Sequence, residues 1–427
     1  MRVWIVAAVC LIASAALADP VYDVSEFRAY ENDGSIAYHA GHYAEAEQGY
    51  ASAVLYGPQQ GGAFYNLAAA AARAGDRAKA LAALDRFAAF GLAVNLDGDA
   101  AFASLRGSPD FARIREKLAA NTAPICACKP VFQGTAEPFI AEGITQDIRT
   151  SRIFVASVAQ RKIVAIHDGV AHDFARVPDG MSPLGIRIND AHDLIWAVAS
   201  TLPQSDGGDG DLGQAALLSF DITSGALRAK YPAPVYAPRR SFSDLTFAQD
   251  GTIYVSDAVE GSIFRLKPGD DALETVGPIR RFSSPQGMVV SADGKTLLVA
   301  DYTAGLQIMD IASGNVAAVV VPAGITTLGM DGLVQLPDGG FAATQNGFAP
   351  NRVVHFRLSK DWSRLVSFTV TARGGAVGDV SLVSVDGNNV LAVGESQWSS
   401  FGENDSSPTK PLRPWRVLRV TINPPSP

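Results

Sequence analysis

Residues 241–266 read SFSDLTFAQDGTIYVSDAVEGSIFRL, and residues 284–311 read SPQGMVVSADGKTLLVADYTAGLQIMDI. Both pieces follow the same pattern: a strand-like start, an Asp-Gly turn, a strand that ends in aspartate, a turn with glycine and a further strand. An Asp-Gly pair between apolar runs, as at residues 250–251 and 293–294, is typical of a β-hairpin. The stretch therefore predicts two consecutive copies of one antiparallel β-meander.

The same unit recurs along the second two thirds of the chain. Six residues occupy its equivalent start, and each precedes a run of β-forming residues: Gly143, Gly185, Asp244, Gly287, Gly332 and Asp379. Their spacing of 42 to 59 residues indicates a propeller or solenoid array. Because the period carries no helical pattern, we predict a six-bladed β-propeller over residues 139–422. Blade six shows three clear strands, so we expect residues 131–133, in a linker over residues 122–138, to supply the fourth and close the ring.

Residues 35–91 carry a different repeat. Six positions recur 34 residues later, with apolar residues at helical spacing between them: Gly41, Tyr43, Ala46, Tyr50, Ala53 and Pro58 are followed by Gly75, Arg77, Ala80, Leu84, Phe87 and Leu92. This period resembles that of tetratricopeptide repeats (TPR). Residues 99–121 are expected to cover the open end as capping helices, interrupted at residues 107–109. The fold class is therefore multidomain α plus all-β, with a TPR-like helical domain over residues 19–121. That domain either binds an extended protein or peptide partner or serves as a spacer or docking surface for the propeller.

The N-terminus reads as a signal peptide. Arg2 gives a basic start, residues 3–17 are apolar, and Ala16-Leu17-Ala18 provides a small-residue cleavage site before Asp19. We expect an exported protein, periplasmic or secreted, with no membrane span after cleavage. The net charge of −8 argues against a nucleic-acid partner. Residues 423–427 follow the last predicted strand as a tail.

Removing the leader leaves two cysteines, Cys126 and Cys128. A disulfide between them would close so few residues that it would be strained, although an oxidising compartment would permit it. No further cysteine exists to complete a zinc set. The sequence leaves open whether the pair is free or oxidised.

Chemistry in propellers gathers where the innermost strands start, around the central channel. The residues just before the six start residues are Glu142, Leu184, Ser243, Gln286, Asp331 and Gly378. Two carboxylates, one amide and one hydroxyl from four blades therefore converge there. Oxygen-only ligand sets are those that calcium prefers, and two carboxylates without a cation or a proton would repel each other.

The propeller half resembles the SMP-30/gluconolactonase/LRE-like family, also called regucalcin-like. The matching pieces are Glu142-Gly143, SFSD at residues 241–244, SPQGM at residues 284–288 and MDGL at residues 330–333. The resemblance implies a six-bladed propeller and, in many members, a metal-dependent lactonase that holds a divalent metal on a glutamate, two asparagines and an aspartate. This sequence keeps the glutamate and the aspartate. It has Ser243 in place of one asparagine and Gln286 in place of the other.

By this resemblance, Glu142, Gln286 and Asp331 are the expected ligands of a calcium-like ion, with Asp331 as the catalytic residue. Ser243 and Asp244 are expected as weaker contacts to metal or substrate. The metal would polarise the carbonyl of a lactone or ester. The alternative is a non-catalytic binding or assembly platform with a degenerate metal site, which the two replaced asparagines and the helical domain favour. The sequence contains no serine-hydrolase elbow, phosphate-binding loop or zincin motif.

Overall fold

A computed structural model describes residues 23–189, 191, 193–206, 213–234, 239–375 and 377–422. The leader expected at residues 1–18 and the tail at residues 423–427 lie outside the described residues. Within the described part, a helical module precedes a six-bladed β-propeller. The predicted fold class is therefore confirmed.

Consecutive helices of the N-terminal module pack against one another. The module contains α1 (Val24–His39), α2 (Tyr43–Tyr56), α3 (Gly61–Ala74), α4 (Arg77–Ala89), a 3-10 helix (Ala100–Leu105) and α5 (Pro109–Thr122). The hydroxyl of Ser108 accepts a hydrogen bond from the Phe111 amide at 3.3 Å, and Pro109 takes the first position of α5. The predicted interruption at residues 107–109 therefore lies between the two capping helices. The assignment to the tetratricopeptide family stays a prediction.

Small residues let the first two helices approach closely. A Cβ atom added to Gly49 would lie 2.8 Å from the Cα atom of Gly34, and one added to Gly34 would lie 2.9 Å from the ring of Tyr50. Either substitution would force the helices apart, because real Cβ atoms do not make such contacts. The alanines at residues 68–72 are buried in the same helical core, so this run serves close packing.

The propeller is built from short strands that are buried near the channel. Two strands follow the helices, β1 (Ile125–Cys126) and β2 (Cys128–Gln133). Blades one to three contain β3 (Ala141–Asp147), β4 (Arg152–Ser157), β5 (Lys162–His167), β6 (Val170–Arg176), β7 (Ser182–Ile188), β8 (Leu194–Ser200), β9 (Ala215–Asp221), β10 (Leu227–Pro232), β11 (Phe242–Phe247), β12 (Ile253–Asp257), β13 (Ser262–Leu266) and β14 (Glu274–Thr275). Blades four to six contain β15 (Pro285–Val290), β16 (Thr296–Asp301), β17 (Gly305–Asp310), β18 (Val316–Ala318), β19 (Met330–Gln335), β20 (Phe341–Gln345), β21 (Arg352–Leu358), β22 (Leu365–Arg373), β23 (Val383–Asp386), β24 (Asn389–Gly394) and β25 (Arg416–Thr421).

Each blade is an antiparallel sheet in which neighbouring strands are consecutive in the chain, except that β1 joins the edge of blade five and β2 the edge of blade six. The first strand of each blade lies innermost, and the six first strands contact one another in a ring: β3, β7, β11, β15, β19 and β23. Aspartates at the ends of second strands hold the loops. The carboxylate of Asp301, for example, accepts the amides of Ser283 and Ser284 at 2.7 and 3.1 Å, which fixes the segment that leads into β15.

The ring closes through a strand that precedes blade one. β2 pairs antiparallel with β25 at the edge of blade six, with Phe132 opposite Val417. Residues 131–133, expected to supply the missing strand, lie within β2. At the same seam the ring of Phe139 stacks on that of Trp415, with 4.4 Å between centroids. The pairing removes the exposed edge that an open ring would leave.

The two cysteines lie where the chain passes from blade five to blade six. β1 adds a fifth strand to blade five by pairing with β22, whereas β2 belongs to blade six. A disulfide joins Cys126 of β1 to Cys128 of β2. The covalent bridge therefore ties the edges of two neighbouring blades, and it resolves the alternative that the sequence left open.

The helical module docks on blades four and five. The side-chain oxygen of Gln59, before α3, accepts hydrogen bonds from the amide and the hydroxyl of Thr327 at 2.8 and 2.9 Å. Arg352 of blade five is buried and donates from Nη1 to the carbonyl of Phe90 at 3.0 Å. A guanidinium is favourable there because the C-terminal end of α4 carries partial negative charge. Of the two roles expected for the module, docking is observed, and binding of a further partner stays a prediction.

None of the described helices is both long enough and apolar enough to span a membrane.

Replacing Trp415 by alanine tests the importance of the seam. The substitution removes the stack with Phe139 from a buried site, and we expect it to cost about 3–5 kcal/mol of unfolding free energy. A circular dichroism melt should show a clearly lower Tm. Val366→Ala, at a position 65% exposed in blade five, is the control and should leave the Tm nearly unchanged. Equal Tm values for the two variants would contradict this account of ring closure.

Candidate functional site

A β-bulge in the inner strand positions the residues at the mouth of the channel. In each of blades one to five, the pairing of the first with the second strand shifts register at two residues near the start of the inner strand. These pairs are residues 142–143, 184–185, 243–244, 286–287 and 331–332. A bulge bends the strand and redirects its side chains, so the predicted site residues stand where the strand geometry is altered.

Glycine is required in most of these bulges because the neighbouring blade is very close. A Cβ atom on Gly143 would lie 2.0 Å from the carbonyl oxygen of Leu184, and one on Gly287 would lie 2.5 Å from the amide nitrogen of Leu333. Both contacts are to backbone atoms, which cannot move aside without breaking the inner ring. The glycine that recurs at these positions in the sequence is therefore explained by the close contact between adjacent inner strands.

Blade six departs from the predicted register. Asp379 was expected at the start position, with Gly378 before it, but both residues precede β23. Val383 pairs with Ala392 as Leu333 pairs with Ala343 in blade five, which makes Ser381 and Leu382 the equivalents of Asp331 and Gly332. The prediction was wrong because it aligned the blades by glycine or aspartate at the start position, whereas blade six has leucine there.

Glu142 lies at the junction of blades one and six. It is 6% exposed, and its Oε2 atom accepts hydrogen bonds from the hydroxyl of Ser381 and the indole N–H of Trp398. Burial, and next the negative charge of Asp331, raise the pKa of Glu142 to about 8, although the two donors lower it. The ring closure thus surrounds this carboxyl group with contacts from the last blade.

Asp331 approaches Glu142 from blade five. The side-chain amide of Asn346 donates to its Oδ2 atom at 2.8 Å. Burial raises the pKa of Asp331 to about 6, the hydrogen bond from Asn346 lowers it, and the charge of Asp244 raises it. Glu142 is therefore close enough to Asp331 for the charge of Asp331 to raise its pKa.

A charge pair that the sequence analysis did not find lies in the same channel. Arg187 of β7 donates from Nη2 to Oδ2 of Asp244 at 2.9 Å, and its Nη1 atom lies 3.5 Å from the carbonyl oxygen of Val383 in blade six. Burial raises the pKa of Asp244, and the charge of Arg187 is the main influence that lowers it. Asp244 is thus an ion-pair partner, which differs from its expected role as a weak contact to metal or substrate.

The two residues that replace the family asparagines make local contacts. The hydroxyl of Ser243 lies 3.4 Å from the carbonyl oxygen of Ser241, and the amide nitrogen of Gln286 donates to the hydroxyl of Ser284 at 3.2 Å. Both contacts lead back to the start of the residue's own strand. Across the described ranges, no three His, Cys, Asp or Glu side chains form a group suited to a metal ion. Any cation here would need amide, hydroxyl or water oxygens beside the two acids.

Tyr302 connects the acids to a neighbouring cavity. Burial, and then the charges of Asp331, Asp379 and Glu142, raise the pKa of Tyr302, so its hydroxyl stays protonated at neutral pH. The same side chain lines a cavity of ≈ 270 Å³ between α1 and the loops of blades four and five. A second cavity of ≈ 510 Å³, which includes Asp379, lies on blade six. Tyr302 and Asp379 therefore each line a cavity.

No family of known proteins and no curated protein matches the sequence. Similar solved structures include the calcium-binding protein regucalcin from Agrobacterium tumefaciens, with 15% identity and a TM-score of 0.47 over 69% of this chain and 96% of that one. They also include a PQQ-bound aldose sugar dehydrogenase from Streptomyces coelicolor, with 13% identity, a TM-score of 0.46 and coverage of 70% and 100%. Virginiamycin B lyase from Staphylococcus aureus shows 11% identity, a TM-score of 0.45 and coverage of 69% and 99%. Likeness at this level carries no argument about activity, and the propeller rests on the six sheets of this chain.

The raised pKa of Glu142 predicts how stability depends on pH in a metal-free buffer. The folded protein binds a proton at Glu142 up to about pH 8, whereas the unfolded chain releases it near the ordinary value of 4.5. Protonated Glu142 therefore contributes fully to the stability of the fold below about pH 4.5, and this contribution is lost as pH rises to about 8.

Glu142→Gln should remove this dependence because glutamine cannot ionise. We expect the Tm of the wild-type protein in EDTA to fall more steeply between pH 5 and pH 9 than that of the variant, with the two curves closest at the acidic end. Asp293→Asn, at an exposed turn of blade four, serves as the control for loss of one carboxylate. Parallel curves for the wild-type protein and Glu142→Gln would contradict the raised pKa.

Proposed function

We propose that the protein is a hydrolase of lactones or related esters, with a divalent cation, calcium preferred, at the mouth of the propeller channel. The observation that carries this proposal is the pair of Glu142 and Asp331, brought together from blades one and five, with Glu142 buried and both pKa values raised. Acids with perturbed pKa values are common at functional sites. The resemblance to the SMP-30/gluconolactonase family suggests the reaction class.

The chemistry of the donor set suits a hard cation. Glu142 and Asp331 supply carboxylate oxygens, and a cation between them would offset the charge of Asp331 that raises the pKa of Glu142. The amide nitrogen of Gln286 is engaged with Ser284, which leaves its carbonyl oxygen as the end available to a ligand. When bound, the cation would polarise the substrate carbonyl.

The side chains of this chain suit the remaining steps. The hydrogen bond from Asn346 favours the ionised form of Asp331, whose carboxylate can accept a proton from an attacking water. The water oxygen bonds to the carbonyl carbon, the ester C–O bond breaks, and the proton passes from Asp331 to the departing alkoxide. Tyr302, protonated at neutral pH, can donate a hydrogen bond to the negative charge that develops on the carbonyl oxygen.

Calorimetric titration with calcium, followed by a lactone screen, tests this proposal. We expect the wild-type protein to bind calcium and Asp331→Ala to lose that binding. In the lactone assay, Asp331→Asn should lower kcat/KM about 100-fold or more, because loss of a general base removes that order of rate enhancement. Asp338→Asn, in the turn between β19 and β20, is the matched control and should behave as the wild-type protein does.

A second candidate function is a non-catalytic binding platform. It is favoured by Arg187, whose guanidinium already pairs with Asp244 in the channel, and by the two donors that already engage Glu142. The titration distinguishes the two functions. A wild-type protein that takes up no calcium, manganese or zinc would overturn the metal-dependent hydrolase and leave the platform.

We also propose that the protein is exported to the periplasm or outside the cell. Residues 1–18 have the composition of a signal peptide, and a disulfide between Cys126 and Cys128 suits an oxidising compartment. When the full chain is expressed in a Gram-negative host, the intact mass of the periplasmic protein should correspond to a chain that begins at Asp19. Full-length protein confined to the cytoplasm would contradict export.

A further inference from the structure

The side chain of Asn346 lies between blades five and six, beside Asp331. It directly follows β20 in the chain. Its Nδ2 atom donates one hydrogen bond to Oδ2 of Asp331 at 2.8 Å and another to the carbonyl oxygen of Val380 at 3.0 Å. Its Oδ1 atom is buried and has no hydrogen-bond partner among the described residues.

The orientation of this amide is fixed by its neighbours. Turning the group by half a rotation would place Oδ1 against the oxygens of Asp331 and Val380, both of which are acceptors here. The unpartnered atom is therefore the oxygen. A buried amide oxygen without a partner has lost its hydrogen bonds to water, so a ligand that binds it at this point has a free-energy advantage.

The amide of Asn346 belongs to the same group of side chains as the two acids. Asp331 is in direct contact with Asn346, and Glu142 is close enough for the charge of Asp331 to raise its pKa. By contrast, Ser243 and Gln286 direct their hydrogen bonds to Ser241 and Ser284. The amide oxygen without a partner therefore belongs to Asn346, which follows the second strand of blade five, and not to Ser243 or Gln286 at the starts of inner strands.

We propose that Asn346 provides, through Oδ1, a neutral oxygen ligand to a divalent cation held by Glu142 and Asp331. The inference rests on the proposed function, because it concerns the same cation. Asn346 is a ligand that is indicated neither by the residues at the starts of the inner strands nor by the family resemblance. Hard cations such as calcium accept side-chain amide oxygens alongside carboxylates, and the Nδ2 contacts hold this amide in place for that role.

Two substitutions separate a ligand from a residue that only positions Asp331. Asn346→Ala removes both the oxygen and the Nδ2 donor. Asn346→Asp keeps an oxygen ligand, adds a negative charge and removes the donor. If Oδ1 binds the cation, the alanine variant should bind calcium at least about 10-fold more weakly, and the aspartate variant should bind as tightly as the wild-type protein or more tightly. If Asn346 only orients Asp331, both variants should be weakened.

The measurement is calorimetric titration of the intact protein with calcium at pH 7. Terbium(III) luminescence provides a second readout because the indole of Trp398 donates to Glu142 and can sensitise the ion. Asn389→Ala, at the start of β24, is the control. Melting in EDTA establishes that each variant is folded, and the aspartate variant keeps the test decisive if the alanine variant is not.

The outcomes are distinguishable from failure of the proposed function. Calcium binding that Asp331→Ala abolishes but Asn346→Ala leaves unchanged would overturn this inference alone, with water then satisfying Oδ1. Weakening in both the alanine and the aspartate variants would also overturn it, in favour of a positioning role. A wild-type protein that binds neither calcium nor terbium would overturn the inference together with the metal-dependent hydrolase.

Discussion

The closed ring depends on a strand from the beginning of the propeller completing the last blade. β2 precedes blade one in the chain but pairs with β25, and the stack of Phe139 on Trp415 lies at the same seam. Closure also brings the first and last inner strands into contact. As a result, Ser381 and Trp398 of blade six reach Glu142 of blade one. The candidate site is therefore a property of the closed ring, since no single blade contains it.

Closing the ring also concentrates negative charge. Asp244 is offset by Arg187, whereas burial and the neighbouring carboxylates raise the pKa values of Glu142 and Asp331. A buried charge without compensation costs several kcal/mol, so the two acids favour binding either a proton or a cation. Protons and calcium would relieve the same repulsion and would therefore compete for the mouth of the channel. On this view the acidic pair sets both the pH dependence and the metal affinity of the site.

Much of the propeller could be predicted because its repeat reflects a steric constraint. Inner strands approach so closely that Gly143 and Gly287 have no room for a Cβ atom, and this constraint leaves glycine at a regular spacing in the sequence. Blade six has Leu382 at the position equivalent to Gly332, so the predicted start of this blade, Asp379, was three residues too early. In the other five blades the predicted start residues lie at the bulge of the inner strand.

Some residues of the candidate site were not predicted because they do not lie at the starts of inner strands. Neighbouring strands in a blade are antiparallel, so the end of a second strand lies beside the start of the first. Tyr302 and Asn346 each follow a second strand directly, in blades four and five, and both reach the mouth by this route. A search limited to the starts of inner strands cannot find Tyr302 and Asn346. Strand pairing, by contrast, predicts that residues at the ends of second strands also line the mouth of the channel. Arg187 escaped for another reason: its Nη1 atom reaches Val383 across the channel, a contact that depends on the closed ring and not on local sequence.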